Sequence, residues 1–165
     1  MKNESENQTG LIDWYLIGLD KIVEKLPLAR ISKLIDWENF RRPIEEAFER
    51  LKLKAVGRPP FDCILMFKII FLGKFLGFNY SRLEIEIPIN YSYIKFLGLS
   101  FGTTVIPDES TIRAFNDNLH RVGIYSKLFE TIDQMLLCEG RKIQYVNPQK
   151  AQSKITTIRS KSKKS

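Results

Sequence analysis

The sequence predicts an all-α fold: a compact multi-helix domain around one central apolar helix, with a helix-turn-helix-like segment and a disordered basic C-terminal tail. Three observations carry that reading. Apolar residues recur at three- and four-residue spacing in successive segments. One run, Phe61 to Phe78, is apolar nearly all round, as expected of a helix covered on every side. The basic excess is confined to one end of the chain. A length of 165 residues with 44% hydrophobic content suits one globular domain.

Leu11 to Leu26 reads as a helix stopped by Pro27, and Ile31 to Asp36 as a short helical turn. Trp37 to Leu53 is the next helix, its apolar positions Trp37, Phe40, Ile44, Ala47, Phe48 and Leu51 falling three or four apart. Pro43 near its start costs no amide bond there. Gly57-Arg58-Pro59-Pro60 is a hard break, and Pro60 suits the first position of the central helix, about Phe61 to Leu76. Ser81 with Glu84 forms a capping-box signature for a short helix ended by Pro88. Asn90 caps Tyr91 to Leu97, which stops at Gly98. After a loop from Leu99 to Pro107, Asp108 caps Glu109 to Val122. Gly123 separates that helix from Tyr125 to Cys138, and Gly140 closes the folded region. Only Lys142 to Val146 reads as a strand. The organisation is a disordered start (1–10), a helical domain (11–140) and a tail (141–165).

Composition excludes several classes of function. Cys63 and Cys138 are far apart and lack CxxC spacing, which argues against a disulfide scaffold and a zinc site. A lone histidine, His120, removes most metal and acid–base schemes. The acidic, polar start is not a signal peptide. Asp62, Lys68 and Lys74 interrupt the longest apolar run, so a buried helix fits better than a membrane span. These features predict a soluble cytoplasmic protein with no cofactor, membrane or small-molecule ligand. The net charge is +7, yet residues 1–140 hold 18 basic and 19 acidic side chains. The excess sits in Arg141, Lys142, Lys150, Lys154, Arg159, Lys161, Lys163 and Lys164, with no acid after Glu139. So few hydrophobics accompany them that the tail is expected to be disordered.

The candidate interface is the helix from Glu109 to Val122. Ile112, Phe115, Leu119 and Val122 face inward at helical spacing, while Ser110, Arg113, Asp117 and Arg121 face out, flanked by Asn116 and His120. Ser, Arg, Asn and His donate to phosphates or read base edges in a major groove. Ser110, Arg113, Asn116, His120 and Arg121 are therefore DNA-binding candidates, together with Arg58 in the hard break. Asp117 opposes this, because it repels phosphate. An ordinary amphipathic helix with a solvated face is the plainer reading of the same residues. Asp62, Glu84, Glu86, Asp108 and Glu109 are read as capping, first-turn and solvent-facing acids, not a catalytic cluster. The two cysteines are read as buried, inert thiols, and Phe67, Phe71 and Phe75 as core.

Several of these residues stand in a familiar order: Trp37…Phe40, Gly57-Arg58-Pro59-Pro60 before a helix containing Met66, Ser81-x-Leu83-Glu84, Phe96-Leu97-Gly98-Leu99, and Pro107-Asp108-x-Ser110-Thr111-x-Arg113-x-Phe115. Over Trp37 to Gly140 the chain resembles the amino-terminal domain of bacterial transposases of insertion-sequence family five. The resemblance implies a helical domain that binds terminal inverted repeats as double-stranded DNA. It also implies a following ribonuclease H-like domain whose Asp-Asp-Glu triad binds two divalent metals. The residues after Glu139 depart from that pattern, so no triad residue and no metal ligand carries over. The expectation is a binding domain without its catalytic domain, from a truncated or split transposase. Full-length transposase or a second copy of this chain is a further expected partner. Two alternatives to DNA binding stay open: a protein–protein module, and the first frame of a frameshifted enzyme.

Overall fold

The computed structural model describes residues 11–50, 61–100, 105–140, 143 and 145. Every element among them is helical: α1 (Leu11–Val23), α2 (Pro27–Leu34), a 3₁₀ turn (Trp37–Phe40), α3 (Arg41–Arg50), α4 (Cys63–Leu76), α5 (Tyr80–Ile89), α6 (Tyr91–Leu97), α7 (Glu109–Arg121) and α8 (Tyr125–Cys138). The all-α reading holds, and so does the central place of α4. Ile64, Met66, Phe67, Ile69, Ile70, Phe71, Leu72 and Gly73 are all buried. Helices α3, α5, α6 and α7 pack on them, and α8 reaches them through Phe129, 5.7 Å from Phe67. Trp37 joins the 3₁₀ turn to α4 and α6, its ring 5.3 Å from Phe71 and 5.5 Å from Phe96. Edge-on aromatic pairs of this kind each add about 0.5–1.5 kcal/mol to the area they bury.

Among the described residues no single helix is long and apolar enough to cross a membrane, and the one helix pair with that composition, α4 and α5, is bent by 102°. Two glycines make this bend. Gly77 takes a left-handed φ of 69°, and Phe78 N donates to Gly73 O at 2.9 Å. At Gly73 a Cβ would lie 2.8 Å from Leu83 Cδ1, so α4 and α5 meet closely there and a larger residue would require the Leu83 side chain to shift.

The boundaries differ from the sequence reading in physical detail. Pro27 begins α2 at a position where its missing amide is not needed, instead of only ending the helix before it. The helix expected from Trp37 splits into a 3₁₀ turn and α3, because the Asp36 carboxylate caps the turn by accepting from Glu38 N at 3.2 Å. Asp62, not Pro60, sets the start of α4: its side chain accepts from Ile64 N and Leu65 N at 3.0 and 3.3 Å. Asn79 caps α5 by accepting from Arg82 N at 2.9 Å, so the Ser81–Glu84 box does not form. Asn90, Asp108, Gly98 and Gly123 act as expected.

Gly140 does not close the packed region. Ile143 and Tyr145 are partly buried against the core, and Tyr145 Oη donates to Asp133 Oδ1 at 2.8 Å. Neither residue lies in a strand. The rest of the expected tail, Arg141, Lys142, Gln144 and everything from Val146 onward, lies outside the described residues.

Candidate nucleic-acid interface

The inner side of α7 is fixed by Ile112, Asn116 and Leu119, all buried. Phe115 adds a ring contact of 5.4 Å to Phe48 of α3. The N-terminus is held twice. Asp108 accepts from Thr111 N at 2.7 Å and from Ser110 Oγ at 3.0 Å. Glu84 reaches across from α5 to accept from Glu109 N at 2.9 Å. The Thr111 side chain and amide and the Ser110 hydroxyl hold the Asp108 carboxyl below its ordinary range. The Glu109 and Thr111 amides are thus engaged within the fold.

The outer face carries Ser110, Arg113, Ala114, Asp117, His120 and Arg121, all exposed. A shallow, open hollow of about 370 Å³ lies over Glu109, Ser110, Arg113, Ala114 and Asp117. Arg113 donates to Glu109 and stands 5.4 Å from the Tyr80 ring. Arg121 donates to Asn118 Oδ1 at 2.9 Å. His120 stacks on Tyr125 at 3.9 Å and 21°, across the turn into α8. Four of the candidates thus share one face. Asn116 does not: it is 8% exposed. It stands four residues after Ile112 and three before Leu119, which puts it on the buried row. Arg58 and the basic residues Arg141, Lys142, Lys150, Lys154, Arg159, Lys161, Lys163 and Lys164 lie outside the described residues. Asp108, Glu109 and Asp117 outnumber Arg113 and Arg121, so this face is not electropositive by itself.

Sequence reasoning missed several charge arrangements, because each joins residues far apart in the chain. Arg41 donates to Glu38 and to Asp62, tying α3 to the cap of α4. Tyr91 Oη donates to Asp20 Oδ1 at 2.8 Å and Lys95 lies 3.1 Å from it, tying α1 to α6. Lys74 places its ammonium 3.7 Å from the Phe129 ring centre, 4.8 Å from Tyr145 and 5.3 Å from Tyr125. Burial holds the pKa of Lys74 below that of a free lysine. The rings replace part of the water it loses.

The thiols also differ from expectation. Cys138 is exposed. Cys63 is half-buried, with Arg41 Nη1 3.7 Å from its sulfur. Burial, aided by Asp62, outweighs that cation and pushes the thiol up to about 11. Asp62 and Asp108 are spent on caps, and among the described residues no group of three or more His, Cys, Asp or Glu could hold an ion.

A family model described as a transposase domain (DUF772) matches residues 18–118. That span runs from α1 into α7 and includes Ser110, Arg113 and Asn116. No curated protein and no solved structure was found to match the chain.

Proposed function

We propose, from the premise that this chain belongs to the transposase domain (DUF772) family, that it binds double-stranded DNA at the terminal inverted repeats of a mobile element. The reading is finer than the family: it takes the chain as the amino-terminal, DNA-binding part of an insertion-sequence family five transposase. The observation that carries it is α7, a rigidly capped helix that presents Ser110, Arg113, His120 and Arg121 on one exposed face. Magnitudes favour the use of Arg113. Its pair with Glu109 is an exposed i,i+4 contact worth about 0.3–0.5 kcal/mol. A bidentate contact to a guanine edge discriminates by about 1–3 kcal/mol. In this reading the described helices bind and do not cut, the basic residues after Gly140 add sequence-independent attraction, and the protein works in the cytoplasm.

The test is a binding titration with the element's own inverted repeats against scrambled duplex of equal length. Preference for the repeats supports the reading; equal affinity for both overturns it. A protein–protein module is the second reading, favoured by apolar side chains left in solvent: Tyr15 and Ile22 on α1 (66% and 60% exposed) and Ile85 and Ile89 on α5 (64% and 71%). Association with a second copy or with full-length transposase, abolished by Ile85→Ser with Ile89→Ser, would support it.

A further inference from the structure

On α7 Arg113 is paired with Glu109, and Arg121 donates to the neutral Asn118 amide. Arg41, Arg42, Arg82 and Arg113 are each tied to a carboxylate. By contrast, Lys21, Lys25, Arg30 and Lys33 are exposed across the α1–α2 corner, and none has a carboxylate within ion-pair distance among the described residues. Two acids that bracket them are engaged elsewhere. Asp20 is turned to Tyr91 and Lys95 on α6, and Asp36 caps the 3₁₀ turn. Glu24 alone remains, so residues 21–33 carry a net +3, the largest of any described stretch of that length.

Helix stability explains only part of this placement. Lys21 and Lys33 lie in last turns, where the helix dipole favours a cation. Arg30 lies in the first turn of α2, where the dipole disfavours one. On α2 the exposed side opposite the buried Leu28 and Ile31 holds Arg30 and Lys33 and no exposed aliphatic side chain. Ile22 and Leu26, 60% and 38% exposed, stand beside the lysines at the α1 side of the corner, so it is the α2 side that suits the charged oxygens of a phosphodiester backbone better than the apolar boundary of a lipid layer.

We propose that the α1–α2 corner is a phosphate-contacting surface, through which the domain holds the duplex backbone while α7 faces the bases. The proposal rests on the DNA-binding reading above and adds a second, separate surface to it. Backbone contacts position a protein without reading sequence, so this surface should set affinity and salt dependence, not discrimination.

The experiment uses the full chain with Lys21→Gln, Lys25→Gln, Arg30→Gln and Lys33→Gln combined, titrated against scrambled duplex over a range of salt. Four engaged phosphates correspond to a log–log slope of about 3.6, at roughly 0.9 each. We expect the slope to fall by about 2–3.6 and affinity near 0.1 M salt to fall at least tenfold, with unchanged helical circular dichroism. The pair Arg30→Gln and Lys33→Gln alone should produce about half the loss of slope. An unchanged slope in the fourfold variant, with wild type still binding duplex, overturns this surface and leaves the DNA-binding reading standing. Absence of duplex binding by wild type overturns both. Loss of binding to phosphatidylserine vesicles with the DNA slope intact assigns the corner to lipid and also overturns the proposal.

Discussion

The Asp62 carboxylate accepts two amide protons at the head of α4 while Arg41 grips it from α3. Burial works to raise its pKa, but the Arg41 guanidinium and the Leu65 and Ile64 amides prevail and hold it below the ordinary 3.8. A depressed carboxyl contributes stability that is present above its unfolded value and is lost as pH falls through the folded one. Asp62→Ala should therefore cost about 1–2 kcal/mol at neutral pH, mainly as a lost cap. Its difference from wild type in urea unfolding should shrink below pH 3.8. A pH-independent difference would mean that the ionised carboxylate is not what matters. Asp62→Asn keeps a capping acceptor but loses charge attraction to Arg41, and should fall between the two.

Gly73 illustrates the same reasoning for an element. Intrinsic propensity favours alanine over glycine inside a helix by about 1 kcal/mol. Here the added Cβ meets Leu83 Cδ1 at 2.8 Å, and Leu83 is fully buried, so its side chain must shift within the core. Overpacking of this kind costs about 1–3 kcal/mol, so Gly73→Ala should destabilise, and Leu83→Val in the same chain should recover part of the loss. Additive thermal shifts for the two changes would refute the contact. The end of α8 carries a second prediction. A chain stopped after Gly140 loses the Ile143 and Tyr145 contacts and should be less stable by about 2 kcal/mol, from one hydrogen bond and one caged cation. A chain stopped after Asn147 should unfold like wild type. The sequence reading placed that boundary at Gly140 because it counted apolar residues along the tail. Tyr145 earns its position through Phe71, Phe129 and Asp133, none of which a local window contains. Local signals served well where the structure is local. Periodicity found α4, α7 and α8, and short-range chemistry found the Asn90 and Asp108 caps and the Gly98 and Gly123 stops. Asn116 was misplaced because it stands near the edge of the apolar stripe, where about 40° of phase decides between core and solvent. Glu84 was misread because its true partner, the amide of Glu109, belongs to another helix.

At the scale of the molecule, the proposed reading divides affinity from discrimination. Lys150, Lys154, Arg159, Lys161, Lys163 and Lys164 follow Asn147, so a chain stopped there keeps Tyr145 and loses six positive charges. Full engagement of those six would contribute about 5 to the log–log salt slope, from roughly 0.9 per phosphate. Partial engagement gives less, so the truncated chain should bind both repeat and scrambled DNA more weakly, with a flatter slope and an unchanged ratio between them. Arg113→Ala should do the opposite. It removes an exposed side chain whose pair with Glu109 is weak, so the fold should be unaffected. Preference for the inverted repeat should drop by about 1–3 kcal/mol if Arg113 reads a base, with little change on scrambled duplex. Asp117→Asn supplies a control of opposite sign. It removes the carboxylate that faces the duplex beside Arg113 and should tighten binding to both DNAs without improving their ratio. If Arg113→Ala instead weakens both DNAs equally, α7 does not read bases. Its outer face is then an ordinary solvated one, and the chain holds DNA through charge alone.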